Sequence, residues 1–468
     1  MLFAGLIAAT SSVADVHVYR IEVDAALSRL DVTARFKVPV TDIAARSRSA
    51  AQFLLDARDC DDDQEFRVRG RRLLTPPEGV TCLSYSVDLS SAARSDRRNH
   101  LLRSSNVIVS PTVWMWRPRL GGNDEIQARF DLPDGVKVSV PWQPLPTDNS
   151  TYKLSASPQS GSAVAIFGRF ESSVTNVAGT RLRVDLPRTL HDVELAPTVD
   201  WVREAAKNVA LAYGRFPNPA ARVVVFPMGS SPWHSDSPVY FGRVVRDGGE
   251  TVELLIDPGK PTSAFYADWT ATHELSHMML PFLRSEQRWL SEGFAQYYQN
   301  VLLARAGRYA PRDAWQNLHD GFERGRSSAP ELSPNQAAGG SERNSRMKIY
   351  WSGAAIALMA DVELRRRSNG AESLDDVLDQ FQRCCLPAQG TWSGPKLFAK
   401  LDSFLREPLF MDLYRRYADS PGFPDVRPLL RRLGVTVRRG QVRLEDDAEL
   451  AEIRAALTAR RYTHEPDT

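Results

Sequence analysis

His273-Glu274-Leu275-Ser276-His277 sets two imidazoles four residues apart, with a carboxylate directly after the first. On a helix, residues i and i+4 lie one turn apart on the same face. Both imidazoles can therefore reach one metal ion, while Glu274, a step around the helix, meets a water at the metal rather than the metal itself. Zinc suits this donor set, and a catalytic zinc takes a third protein ligand and keeps one position open. Glu292 is the candidate. It follows His277 after fourteen intervening residues, inside Trp289-Leu290-Ser291-Glu292-Gly293-Phe294-Ala295-Gln296-Tyr297-Tyr298. That distance lets one helix stop at Pro281 and a second bring Glu292 back. Trp289, Phe294 and Tyr297 imply a buried setting, where an unpaired carboxylate is costly. No HxxGxxH follows, His319 falls in a polar helical stretch and reads as solvated, and His17, His100 and His191 are isolated.

The elements that must hold these residues are legible around them. Ser263 is a good N-cap, so a helix is predicted from Ala264 until Pro281 stops it. Upstream, Val199 to Tyr213 has helical spacing and ends at Gly214, and Ala221 to Phe226 reads as a buried strand. Pro238–Val245 and Glu250–Ile256 flank Asp247-Gly248-Gly249, a hairpin signal. From Ser263 on, the chain is mostly helical. Ala354 to Met359 is its most apolar run, and Pro330 to Ser345 reads as a loop. Between Val16 and Pro187, segments of period two separated by Gly, Pro, Asp and Ser predict an antiparallel β-sandwich. The expected organisation is multidomain α+β: a β-rich domain over 15–190, a catalytic domain over 191–300 and a helical part over 301–468.

Of the 468 residues, 43% are hydrophobic and 25% charged, which excludes a mainly disordered or fibrous chain. The 59 Lys+Arg nearly balance 57 Asp+Glu, so nucleic acid is not an expected partner. No stretch of the mature chain reaches the ~20 apolar residues of a membrane span. Residues 1–14 carry a short apolar run ending in Ser12-Val13-Ala14, which reads as a signal peptide and predicts an exported protein. In an oxidising compartment Cys60 and Cys82 are expected to be bridged. Cys384 and Cys385 are adjacent, and a bridge between neighbours is not expected.

The pair HELSH and WLSEGFAQYY resembles the gluzincins, the thermolysin-like zinc peptidases with two His and one Glu as ligands. The second phrase is similar to the one carrying the third ligand in the aminopeptidase N and leukotriene A4 hydrolase group. Ile349-Tyr350-Trp351-Ser352-Gly353 resembles that group's Tyr-x-x-Gly segment, and the stretch from Asp361 to Val377 resembles glycyl aminopeptidases. The resemblance implies a thermolysin-like α+β catalytic domain behind a β-domain, with one zinc per chain on His273, His277 and Glu292. It implies hydrolysis of a peptide or protein substrate, aminopeptidase-like, by a zinc-activated water with Glu274 as general base and Tyr350 as donor to the oxyanion. The hairpin from Pro238 to Ile256 lies where such folds place an edge strand for a peptide to pair with. The chain departs from the pattern in three ways. Its His-to-Glu spacing is shorter, no Gly-x-Met-Glu-Asn segment supplies the glutamate that holds a substrate α-amine, and the tail after Gly434 is too short for a PDZ-like domain. A non-peptide zinc hydrolase and a non-catalytic zinc-containing binding protein are the alternatives, and the intact Glu274 argues against the second.

Overall fold

The computed structural model describes residues 16–103, 105–121, 124–146, 148–155, 162–191, 193–230, 237–340, 343–388 and 390–462. The expected signal peptide, 1–14, lies outside them. Two compact units divide the chain. One is Met1–Ser157, Gly161–Phe170 and Arg246–Gly249, and the other is Pro158–Ser160, Glu171–Val245 and Glu250–Thr468.

In the first unit the period-two segments become strands because one face can be buried. Val16–Val23 buries His17, Tyr19, Ile21 and Val23, and Arg29–Val40 buries Leu30, Val32, Ala34 and Phe36. They are antiparallel neighbours in a seven-stranded sheet, with Val18 opposite Arg35. The other side of Val16–Val23 pairs in parallel with Glu125–Asp131, the one parallel contact in a sheet otherwise antiparallel among the described pairings. Smaller sheets of three and four strands complete the unit. Its core is aromatic, with Tyr19, Tyr85, Trp114, Trp116, Phe130 and Phe167 all buried. Cys60 and Cys82 are bridged, as expected.

The second unit begins at Glu171, not near residue 190. The hairpin Glu171–Val177/Thr180–Leu186 joins it because Thr180–Leu186 pairs in parallel with Ala220–Pro227. A strand's partners, not its position in the chain, decide which core it serves. The five-stranded sheet runs 171–177, 180–186, 220–227, 250–256 and 239–246, so Val239–Arg246 is an edge. Helix Leu195–Ala210 packs on it, burying Trp201, Val202, Ala206 and Val209.

The predicted helix from Ala264 to Leu280 is two shorter helices, Thr262–Ala267 and Thr270–Ser276, with a 3-10 turn at His277–Met279. Asp268 makes the break: its carboxylate accepts the Thr270 N–H at 2.7 Å and starts the second helix afresh. The stop is as predicted, with Leu280 extended before Pro281. Next comes helix Arg288–Arg305, which carries Glu292, and after further helices comes Arg346–Arg367, which carries Tyr350. The expected loop 330–345 holds a short helix, Pro334–Gly339, begun by a capping box between Ser333 and Gln336. Ala354 to Leu358 is fully buried, as its composition predicts.

Helices 288–305 and 346–367 meet backbone to backbone. A Cβ on Gly293 would lie 2.2 Å from the Gly353 Cα, and one on Gly353 would lie 2.1 Å from the Trp289 carbonyl oxygen. Farther along, buried polar contacts tie helix 288–305 to helix 346–367 and to Asp375 on the helix after it. The Tyr297 hydroxyl donates to Asp361 at 2.7 Å, and Tyr298 donates to Asp375 at 3.0 Å. Arg365 and Arg305 pair with Asp361 and Asp375, both at 2.9 Å. No helix among the described residues is long and apolar enough to cross a membrane. Cys384 and Cys385 are bonded to each other, against expectation. They are the last two residues of the helix Leu374–Cys385, which ends where the chain turns extended at Leu386.

Candidate metal centre

The short helix 270–276 and its 3-10 continuation keep His273 and His277 on one face, with ring centres 4.9 Å apart and planes nearly perpendicular. Helix 288–305 brings Glu292 opposite. Its Oε2 lies 3.5 Å from Nε2 of His273 and 3.5 Å from Nε2 of His277. Tetrahedral ligands held about 2.0–2.1 Å from zinc stand about 3.3–3.5 Å from one another, so the spacing of these donors fits that ion. Among the described residues this is the one group of three or more such donors within reach of a common point.

The outward nitrogens of both rings are occupied. Nδ1 of His273 lies 3.0 Å from Oε1 of Gln299, and Nδ1 of His277 lies 3.0 Å from Oγ of Ser291. An Nδ1–H donated to each oxygen leaves the Nε2 lone pair facing Glu292, the orientation a metal-binding imidazole needs. Ser291 and Gln299 share the helix of Glu292, so one element supplies the third donor and orients the other two. The sequence carried the signal for Gln299, which stands seven residues, close to two turns, after Glu292 and so on its face.

Glu274 is buried but outside the donor set. Desolvation pushes its pKa up to about 7, with His273 opposing the rise and the negative charge of Glu292 adding to it. A cation held by the three donors would lower it again. The edge strand closes over this carboxylate. A Cβ on Gly242 would stand 2.5 Å from the Glu274 Cγ and 2.8 Å from its Oε1. Burial also tends to raise Glu292, but the facing imidazoles of His277 and His273 outweigh it and hold the carboxylate well below its usual range.

Tyr350 stacks on the His273 ring at 6.0 Å between centres, with planes 29° apart. Burial, then the charges of Glu292 and Glu274, push its hydroxyl above the usual range, so it stays a neutral donor. The close contact of Gly293 with Gly353 accounts for this neighbourhood, since Glu292 and Tyr350 lie one and three residues from the two glycines. Trp269, 41% exposed, meets the His273 ring edge to face at 5.5 Å. Thus all five residues picked out in the sequence come together. His17, His100, His191 and His319 are not part of the group.

Comparisons with known proteins find likeness to this chain at two levels, a stretch of sequence around the donor set and the fold. The sequence profile of the M61 glycyl aminopeptidase family matches residues 282–356, the stretch from Glu292 to Tyr350 with its flanks. An aminopeptidase N family protein from Idiomarina loihiensis superposes with a TM-score of 0.61 at 13% identity, over 90% of this chain and 79% of that one. A variant M1 zinc metallopeptidase from Deinococcus radiodurans, bound to a Tyr-Ser-Ala substrate, superposes with a TM-score of 0.52 at 14% identity, over 88% of this chain and 96% of that one. At these identities the likeness is one of fold. No match is found among curated proteins.

Proposed function

We propose that the protein is a zinc-dependent metallopeptidase that hydrolyses peptide bonds in an aminopeptidase-like manner. One zinc would be held by His273, His277 and Glu292. The observation that carries this reading is the convergence of those donors at 3.5 Å while Glu274, buried beside them, is left out of the set. A structural zinc site is closed by four protein ligands and has no use for a general base, whereas a catalytic one keeps a position open. When bound, the metal supplies Lewis acidity at the scissile carbonyl and acidifies a water.

The rest is work for side chains. Glu274 takes the proton of the attacking water and passes it to the leaving amine. A buried carboxyl next to the donor set but outside it is placed for both halves of that task, one proton in and one out. Tyr350 donates its O–H to the oxygen on which charge develops, and as a buried phenol it needs no reorganisation to do so. Gly242 leaves room on the edge strand for Glu274, and the exposed backbone of that strand offers a peptide its main-chain hydrogen bonds. The test is metal analysis of the purified chain together with hydrolysis of a peptide library before and after chelation. About one zinc per chain, with cleavage lost on chelation and restored by zinc, is the expected result. Stoichiometric zinc with no peptide cleaved, but an ester or amide turned over, would move the reaction to a non-peptide hydrolase on the same site. Export to the periplasm or medium is part of the proposal, and cell fractionation of the tagged full chain tests it.

A further inference from the structure

Helix 346–367 carries four arginines. Three lie at its end and each is ion-paired: Arg365 with Asp361 at 2.9 Å, and Arg366 and Arg367 with Glu363 at 2.8 Å. The fourth, Arg346, opens the helix and is exposed, and among the described residues it has no carboxylate partner. It stands one turn before Tyr350 on the same face, and its guanidinium carbon is 5.7 Å from the centre of the Tyr350 ring. That ring stacks in turn on His273. A cation that is hydrogen-bonded to the Tyr350 hydroxyl, but paired with no carboxylate among the described residues, therefore stands beside the group that would meet the substrate oxygen.

The acids around the site have other employment. Glu292 belongs to the donor set and Glu274 is the base of the proposed reaction. Glu253 on the strand beside the edge pairs with Arg243 at 2.7 Å, and Asp268 accepts from Thr270 and from Ser237. None of these described carboxylates is left to hold a substrate ammonium, and a guanidinium at the rim has the wrong sign for one. It has the right sign, and the forked donor geometry, for a carboxylate.

We propose that Arg346 is the substrate-carboxylate site of this centre, binding the C-terminal carboxylate of a short peptide. An extended chain advances about 3.3–3.6 Å per residue, so with the guanidinium this close to Tyr350 a carboxylate on Arg346 lies about one to two residues from a carbonyl in reach of that hydroxyl. The substrates this selects are peptides of a few residues with a free C-terminus. An acidic side chain at the same distance would present the same chemistry. The inference rests on the peptidase reading above.

The test measures binding, which separates the two. Full-length zinc-loaded Glu274→Gln protein is titrated calorimetrically with a tetrapeptide free acid, its C-terminal amide, and the amide with Glu as last residue. The same titrations are made in the Glu274→Gln/Arg346→Met and Glu274→Gln/Arg346→Lys backgrounds. The free acid should bind about tenfold or more tighter than the amide, as expected for a charge-assisted contact. That ratio should fall to about one with Met and only partly with Lys. A Glu-terminated amide that binds as tightly as the free acid would keep Arg346 as the carboxylate site and assign the source to a side chain. Equal binding of acid and amide in the Arg346 background overturns the proposal. Failure of the chain to hold zinc counts against the peptidase reading instead, because the acid-to-amide ratio can still be read on chelated protein.

Discussion

The duties proposed for three residues at the centre are distinguishable, and substitutions that preserve shape separate them. Glu274→Gln removes the base and no ligand, so zinc should remain while kcat falls by about 10²–10⁴. Glu292→Gln removes a charged ligand, so zinc affinity itself should drop. Tyr350→Phe should keep the metal and lose about 10²–10³ in kcat, with KM little changed. Zinc analysis beside kinetics reads the pattern, and full zinc affinity in Glu292→Gln would place the third ligand elsewhere. Gln299→Leu leaves His273 without its Nδ1 partner. Metal affinity should then weaken about 10- to 100-fold, as for other losses of a group orienting a ligand, and competition with a chromogenic chelator measures it. His273, Glu274 and His277 follow from spacing on a helix, and Glu292 from distance and apolar company. Tyr350 had no signal of its own and came only through the resemblance. Gly242 had none either, because its reason for being glycine is a carboxylate thirty-two residues away.

Elements set how accurately those residues meet. Helices 288–305 and 346–367 touch through Gly293 and Gly353, and a methyl group on either would overlap backbone, which cannot rotate away. Gly353→Ala should destabilise by about 1–3 kcal/mol through overpacking, and also weaken zinc binding by pushing Glu292 off its position. Thermal unfolding with and without zinc tests both parts. An unchanged Tm would mean the helices separate at no cost and do not fix the site. The types of element were largely readable, since period two and helical spacing record which face is buried. The break inside the motif helix was not anticipated. A polar side chain in a helical run reads as surface, and only its bond to the Thr270 N–H shows that Asp268 starts a new helix. The Cys384–Cys385 bridge was likewise missed because sequence adjacency says nothing of the local backbone at a helix end.

At the scale of the whole molecule, the described residues form two hydrophobic cores, one within each unit. Calorimetry should therefore resolve two transitions, since separate cores need not melt together. Chelation should move only the transition of the unit with the donor set. At a free zinc concentration a hundred times Kd, about 2.7 kcal/mol of stabilisation is at stake. Reduction of Cys60–Cys82 should move the other. A single transition shifted by both treatments would mean the cores unfold as one. Fold class was legible at this scale, but the boundary was not, because pairing of Thr180–Leu186 across to Ala220–Pro227 leaves no local trace. The edge-strand glycine also bears on how the chain tolerates variation. At Gly293 and Gly353 the obstacle is backbone, so any side chain there harms folding and catalysis together. At Gly242 the nearest obstacle is the Glu274 side chain, and the strand's own backbone accepts alanine. A library of variants sorted for stable expression would therefore fill position 242 freely, while one sorted for turnover would empty it to glycine. The gap between those two selections would mark the catalytic face of the sheet without any knowledge of the substrate.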